Sequence, residues 1–238
     1  MPKLNKQSII YERMKRQRFL DPISSSLDEE EYIKLFRLLQ PVAPVHFTMP
    51  GSPPKSMHRT EFNDDNLSNR LRQKHQLIKG RFAGGRVGYV LQENLEQYAD
   101  AFRKNLIRMK PIHEDILSKI KHSGGISKDQ LKEELDYPNG EITRALNTLQ
   151  EAFLVYEDQT DTDWDTGWFD FETEWFELPN DEDKQIEHIA QVLLNYLIAM
   201  VFASLSQIKD WSELNIRKLK KALESLQKDG EIQLVQVD

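Results

Sequence analysis

Residues Pro111 to Leu178 constrain this chain more than any other stretch. The run IHEDILSKIKHSGGISKDQLKEELDYPNGEITRALNTLQEAFLVYED has the punctuation of three short helices followed by a two-stranded ribbon, the order of a winged helix-turn-helix. Ile112, Ile116 and Ile120 recur every four residues, with Leu117 beside them, which gathers them on one apolar face. Gly124 and Gly125 end that helix, because glycine adopts the left-handed conformation in which helices commonly finish. Ser127 stands before KDQLKEEL as an N-cap, its hydroxyl placed to accept an orphan backbone N–H, and Leu131 and Leu135 sit four apart on the buried side. The DYPNG turn breaks this second helix. EITRALNTLQEA forms the third, at the recognition-helix position, with Ile142, Leu146 and Leu149 on its apolar edge. FLVYED reads as a strand, TDTDWDTG as the wing tip and WFDFETEWFEL as the return strand, since Phe169, Phe171 and Trp175 partly alternate.

The remaining sequence is long enough for further cores, with 238 residues of which 39% are hydrophobic. Without cysteine there is neither a disulfide framework nor a thiolate zinc site. The N-terminal MPKLNKQSIIYERMKRQRF lacks the apolar core of a signal peptide, and the run Val192 to Leu205, interrupted by Asn195, is too short to span a bilayer. A soluble, cytoplasmic protein without membrane attachment is expected.

The net charge of −7 conceals segregation along the chain. Residues 1–20 carry six Lys/Arg against one acid, and residues 55–123 carry fourteen against eight. Residues 124–183, the winged helix and its wing, carry three against eighteen, whereas 184–238 carry seven of each. A polyanion is therefore drawn to the N-terminal half and repelled by the acidic winged helix.

Taken in order, SIIYERMKRQRFLDP predicts a helix with Ile9, Ile10, Met14 and Phe19 available for packing and Arg13, Lys15, Arg16 and Arg18 solvated or set against phosphates. Ser26 and Glu29 predict a capping box for LDEEEYIKLFRLL. QPVAPVHFTMPGSPPK is too rich in proline for helix or central strand and reads as a stiffened loop. A helix from about Asp65 to Ile78 turns Leu67, Leu71, Leu77 and Ile78 inward and Arg70, Arg72 and Lys74 outward. In KGRFAGGRVGYV, glycines alternate with Lys79, Arg81 and Arg86, and two readings are equally open: a kinked glycine hairpin, or a backbone cradle for phosphate. LQENLEQYADAFRKNLIRM returns to helix with a stripe of Leu95, Tyr98, Phe102, Leu106 and Met109.

Beyond the LPNDED linker, KQIEHIAQVLLNYLIAMVFA predicts a long central helix. Ser204 or Ser206 then caps a short helix, Ile216, Leu219, Leu223 and Leu226 build another ended by Gly230, and EIQLVQV begins a strand. This repeats the earlier grammar as a second winged helix that stops where its wing should turn back, so a further C-terminal part is expected. The fold class is mainly α with small β-hairpins, arranged as tandem winged helix-turn-helix motifs. Three units are expected: residues 1–110 as a basic helical segment with a Pro-rich loop and Gly-rich hairpin, 111–183 as the winged helix with an acidic wing, and 184–238 as the second, incomplete winged helix.

RMKRQRFLDP with FRLLQPVAPV, then LIKGRFAGGRVGYVLQENLEQYADAFRKNL, then VFASLSQIKDWSELNIRKLKKALESL, joined to the two winged helices, resemble the AlkZ/YcaQ-type family of bacterial winged-helix DNA glycosylases. The resemblance rests on order and spacing and covers nearly the whole chain. It implies DNA repair by excision of alkylated or crosslinked bases, hydrolysing an N-glycosidic bond with no metal or cofactor. It also implies a Gln-x-Asp or Gln-x-Gln pair that positions and polarises the attacking water. Gln40 falls on the first member as the candidate catalytic residue, but Val42 falls on the second, and a valine can neither accept a proton nor hold a water. Gly84 and Gly88 stand where the family's Arg-x-x-x-His pattern is expected. His46, His58, Arg59 and Asp64 are the nearby candidates to line a rearranged site.

Three hypotheses follow. One is a binder of double-stranded DNA using Arg13, Lys15, Arg16, Arg18, Arg70, Arg72, Lys74, Lys79, Arg81 and Arg86. Another is a glycosylase with a rearranged site. The third is a non-catalytic regulatory module that meets a protein partner through its acidic winged helix, whose recognition helix offers only Arg144 to a major groove.

Overall fold

The computed structural model describes residues 3–43, 59–106, 108–158 and 167–237. In chain order these form β1 (Lys3–Leu4), α1 (Lys6–Arg16), α2 (Glu29–Leu39), α3 (Asp65–Gln73), β2 (Leu77–Phe82), β3 (Arg86–Leu91) and α4 (Leu95–Phe102). There follow α5 (Pro111–Ser123), α6 (Lys128–Glu134), α7 (Asn139–Glu151), β4 (Val155–Glu157), β5 (Trp168–Asp170) and α8 (Phe171–Glu174), and then α9 (Glu182–Met200), α10 (Leu205–Ser212), α11 (Ile216–Lys228) and β6 (Gln236–Val237). The protein is mainly helical with small strand pairs, as its sequence predicts.

The three helices and the strand pair of the first winged helix form as expected, whereas residues 160–166 of the expected wing tip lie outside the described residues. Gly124 ends α5 in the left-handed conformation at φ 63°. The Ser127 hydroxyl accepts from the Gln130 amide while the Gln130 side chain accepts from the Ser127 amide, closing a capping box at the start of α6. Ile116, Leu131, Ile142, Leu149 and Val155 are fully buried around one small core. Fully burying a side chain of that size contributes roughly 1.5–3 kcal/mol. β4 and β5 pair antiparallel with Tyr156 opposite Phe169, and Ile126 adds a rung through Trp168. The return strand is shorter than its alternation suggested. Asp170 accepts from the Thr173 amide and hydroxyl and so starts the helical turn α8 where strand was expected.

Other boundaries also move, each for a local reason. Asp28 rather than Ser26 occupies the N-cap of α2, and Glu29 pairs with Arg70 instead of closing a capping box. α3 ends at Gln73 and the chain reverses at His75, with φ 51°, so Leu77 and Ile78 open a strand. The stripe from Leu95 to Met109 serves two cores. Leu95, Tyr98 and Phe102 lie in the largest cluster, whereas Leu106 and Met109 pack on the winged helix, and the helix stops between them at Phe102. On α1, Ile9 is buried but Ile10 and Met14 stay exposed.

The largest core runs across the molecule. It takes Ile78, Phe82 and Val90 from the β2–β3 hairpin, Tyr98 and Phe102 from α4, Phe153 and Phe171 from the winged helix, Ile189, Val192 and Leu193 from α9, and Leu219 and Leu226 from α11. α9 is thus the central helix that its apolar sequence predicts. A second core joins α2 and α3 to the other side of the hairpin through Tyr32, Phe36, Leu71 and Tyr89.

α9 ends in a γ-turn. The Phe202 amide donates to the Met200 carbonyl at 2.7 Å, with Val201 between them at φ 64° and ψ −41°, the rare and strained hand of that turn. The chain bends by 115° into α10. α10 and α11 then make the second helix-turn-helix, with Ser204 as the N-cap of α10 and a left-handed Glu213 in the link. Of the expected last strand, Gln236 and Val237 are paired as strand, in parallel with Lys3 and Leu4.

Candidate nucleic-acid interface and the Gln40 site

Gln40 sits where α2 gives way to the segment that runs along the hairpin. Its side chain is held at both ends: Oε1 accepts from the Leu91 amide at 2.9 Å, and Nε2 donates to Asn94 Oδ1 at 2.9 Å. Its carbonyl accepts from the Tyr98 hydroxyl at 3.3 Å, and that hydroxyl in turn accepts from Asn195 Nδ2 at 3.0 Å. Gln40 is 5% exposed. The side-chain amide therefore fastens the end of α2 to the start of α4, and the backbone carbonyl reaches α9 through the Tyr98 hydroxyl. Burial pushes the Tyr98 phenol up, against the smaller opposing effect of these hydrogen bonds. Val42, two residues on, exchanges both backbone hydrogen bonds with Tyr89 and buries its side chain in the second core.

Of the other candidates, His46 and His58 lie outside the described residues. Asp64 is fully buried and accepts from the Tyr32 hydroxyl at 2.9 Å, a bond between α2 and the start of α3. The Arg59 guanidinium stacks over the Phe19 ring, 3.4 Å from its centroid. No group of three His, Asp or Glu side chains that could hold a metal occurs among the described residues.

Most of the cations expected at DNA face inward or along the surface. Arg13 donates to the carbonyls of Met200 and Phe202, both at 3.0 Å, and Arg16 to that of Ile198 at 2.9 Å, so α1 caps the C-terminus of α9 while Lys15 and Arg16 stay exposed. Arg18 bridges to Asp21 at 2.8 Å, Arg70 pairs with Glu29, and Arg72 lies over the Tyr89 ring. Lys79 pairs with Glu157, with both side chains mostly buried. Arg81 donates to Gln150, Asn147 and the Gly85 carbonyl, and Arg86 to Glu213 and the Trp211 carbonyl. Lys15 and Lys74 keep their side chains free of such partners among the described residues.

The acidic winged helix is thus the counterpart of the basic hairpin in the same chain. Lys79–Glu157, His75–Asp158, Lys104–Glu151 and Lys121–Asp170 join the two charge blocks. The hairpin turn completes the contact. Gly84 and Gly85 have φ 71° and 73°, and a Cβ on Gly85 would stand 2.6 Å from Glu151 Oε1, while one on Gly84 would collide with the Glu213 carboxylate. Carboxylates, not free space, lie against the glycines. The kinked hairpin expected of this stretch forms.

A family model described as "DNA glycosylase AlkZ-like" matches residues 70–238. The chain belongs to the AlkZ-like DNA glycosylase family. The matched span starts beyond Gln40 and Val42, at Arg70 in α3. Among solved structures, Streptomyces sahachiroi DNA glycosylase AlkZ superposes with a TM-score of 0.72 over 99% of this chain and 68% of its own, at 15% identity. That likeness is one of fold. No curated protein matches the chain by sequence. No single helix among the described residues is long and apolar enough to cross a membrane.

Two features of this AlkZ-like chain escaped the sequence reading. Asp100, fully buried on α4, lies 2.8 Å from His188 Nδ1 and 3.1 Å from Arg103 Nε, and Gln185 donates to its carbonyl and accepts from Lys218 of α11. This polar cluster ties α4, α9 and α11 together. An acid in YADAFRKN and a histidine on an apolar helix are its only sequence traces, and nothing in either gives the pairing. The second feature is the exposed face of α11, whose cations are diluted by nearby acids in any segment-wise count of charge.

Proposed function

We propose that this AlkZ-like chain binds double-stranded DNA and that its Gln40–Val42 position does not hydrolyse N-glycosidic bonds. The binding half is supported by the family match over residues 70–238, together with two helix-turn-helix units, the first on its own small core and the second on the largest one. The solved relative named for DNA glycosylase activity shares that arrangement. In this reading residues 1–110, 111–183 and 184–238 divide the work although their packing is continuous. The first braces, the second neutralises the first, and the third remains for the nucleic acid.

One observation carries the catalytic half: the Gln40 amide is buried and held at both ends, by Leu91 and Asn94, and Val42, where the second acceptor is expected, offers only hydrocarbon. A water-activating pair needs an acceptor within hydrogen-bond reach of the water. The reading is tested by anisotropy of intact, abasic and alkylated duplexes at low and physiological salt, combined with a base-release assay. Equal, salt-sensitive binding to all three without base release is expected. Release of alkylated base above background would overturn the catalytic half, and absence of binding at low salt the binding half. A second reading, a basic protein partner on the acidic winged helix, is favoured by the exposed Glu133 of α6, Asp136 of the link and Glu141 of α7, and a complex that excludes DNA is its signature.

A further inference from the structure

We infer that the DNA-contacting element is α11, the recognition-position helix of the second helix-turn-helix, and that its partner is the phosphate backbone of duplex DNA. The inference rests on the DNA-binding reading above and deepens it. α11 turns Leu219, Ala222 and Leu226 into the core. Arg217, Lys220, Lys221 and Lys228 lie on the opposite, exposed side, within about 100° of arc at 100° per residue. Glu224 is the acid in their midst. Arg217 to Lys228 spans about 16 Å at 1.5 Å per residue, a length that can follow several phosphates.

These cations differ from most of those of the N-terminal half, where Lys15 and Lys74 are the exceptions, in being available. Arg217, Lys220 and Lys228 donate to no side chain or carbonyl among the described residues, and Lys221 has only a half-exposed bridge to Glu182 at 3.1 Å. By contrast, α7 offers Arg144, whose Nε turns back to the Gly140 carbonyl at 3.1 Å, between Glu141 and Glu151. The helix is also firmly aimed. Asn215 caps its N-terminus by accepting from the Arg217 amide at 2.8 Å, and Lys218 anchors it to Gln185 of α9. A rigid helix with an unspent cationic face, preceded by a short helix and a three-residue link, has the placement in which such helices meet a duplex.

The test is fluorescence anisotropy of the full chain with a labelled mixed-sequence duplex across a salt series. It compares the wild type with R217Q/K220Q/K228Q, with K15Q/K74Q and with E224Q. Each lost phosphate contact removes about 0.9 from the slope of log affinity against log salt, so the triple variant should flatten the slope by roughly two to three and weaken low-salt binding about tenfold or more. E224Q should tighten binding, an effect that misfolding cannot mimic. A wild type that binds, with an unchanged slope in the triple variant or a loss confined to K15Q/K74Q, overturns the placement on α11 and leaves DNA binding intact. A wild type that fails to bind at low salt removes the DNA-binding reading and this inference with it.

Discussion

Lys79 and Glu157 join the hairpin to the wing with side chains only 11% and 14% exposed, which makes the pair the sharpest probe of that junction. Breaking a buried pair by removing one partner costs about 3–5 kcal/mol, because the survivor keeps its desolvation without its counter-charge. The surroundings make the two single losses unequal. Arg72 and Arg81 both bear on Lys79 as like charges. Glu157→Gln therefore leaves a buried ammonium among cations, whereas Lys79→Met leaves a carboxylate near guanidinium groups. We expect Glu157→Gln to cost about 4 kcal/mol and Lys79→Met about 2–3 kcal/mol. Lys79→Met/Glu157→Leu, which removes both charges and keeps the volume, should return to within about 1 kcal/mol of the wild type. Urea unfolding followed by far-UV circular dichroism gives these differences from the midpoints at constant slope. Single variants within about 0.5 kcal/mol of the wild type, or a double variant worse than either single, would refute the argument that this pair is desolvated and mutually dependent.

Three further outcomes follow from the geometry. Tyr98 and Tyr156 have phenols raised by burial above the ordinary value of 10.0, so folding stability is fully present below that value and is lost as pH climbs beyond it, where only the unfolded chain ionises; urea midpoints between pH 8 and 11 should fall, and Tyr98→Phe should lessen the fall while costing about 1–2 kcal/mol at pH 7. Gly84→Ala meets both a positive φ and the Glu213 carboxylate and should destabilise by about 2 kcal/mol in the same assay, more than Gly140→Ala, whose Cβ meets nothing within 4 Å. Val201→Gly relieves a β-branched residue at φ 64° and should leave stability unchanged or raise it by up to about 1 kcal/mol; a loss of more than about 2 kcal/mol would show that the Val201 side chain matters more than its strain.

The first winged helix was legible because its signals are local. Ser127, Gly124 and the four-residue isoleucine spacing each act within one or two turns, and nothing elsewhere in the chain competes with them. The basic and acidic blocks were legible as blocks but not as partners. A sequence gives no distance between Lys79 and Glu157, so a cation that is satisfied within the chain looks the same as one that awaits a phosphate. The stripe from Leu95 to Met109 misled for a related reason: apolar spacing does not say which core each residue enters, and this stripe feeds two. At the candidate site, Gln40 was singled out through the family resemblance alone, and the matched span of residues 70–238 does not reach it. Its bonds to Leu91 and Asn94 were not legible, since they depend on the hairpin returning beside the end of α2.

Both helix-turn-helix units touch the three-residue tip Ala83–Gly85, one through Glu151 at the end of α7 and the other through Glu213 in the link before α11. The tip therefore works as a shim whose thickness sets the spacing between the two units. One added residue would lengthen it by up to about 3.3 Å, nearly the rise between stacked base pairs, so turn length in this hairpin is a variable by which related chains can retune the gap between the two helix-turn-helix units without altering either one.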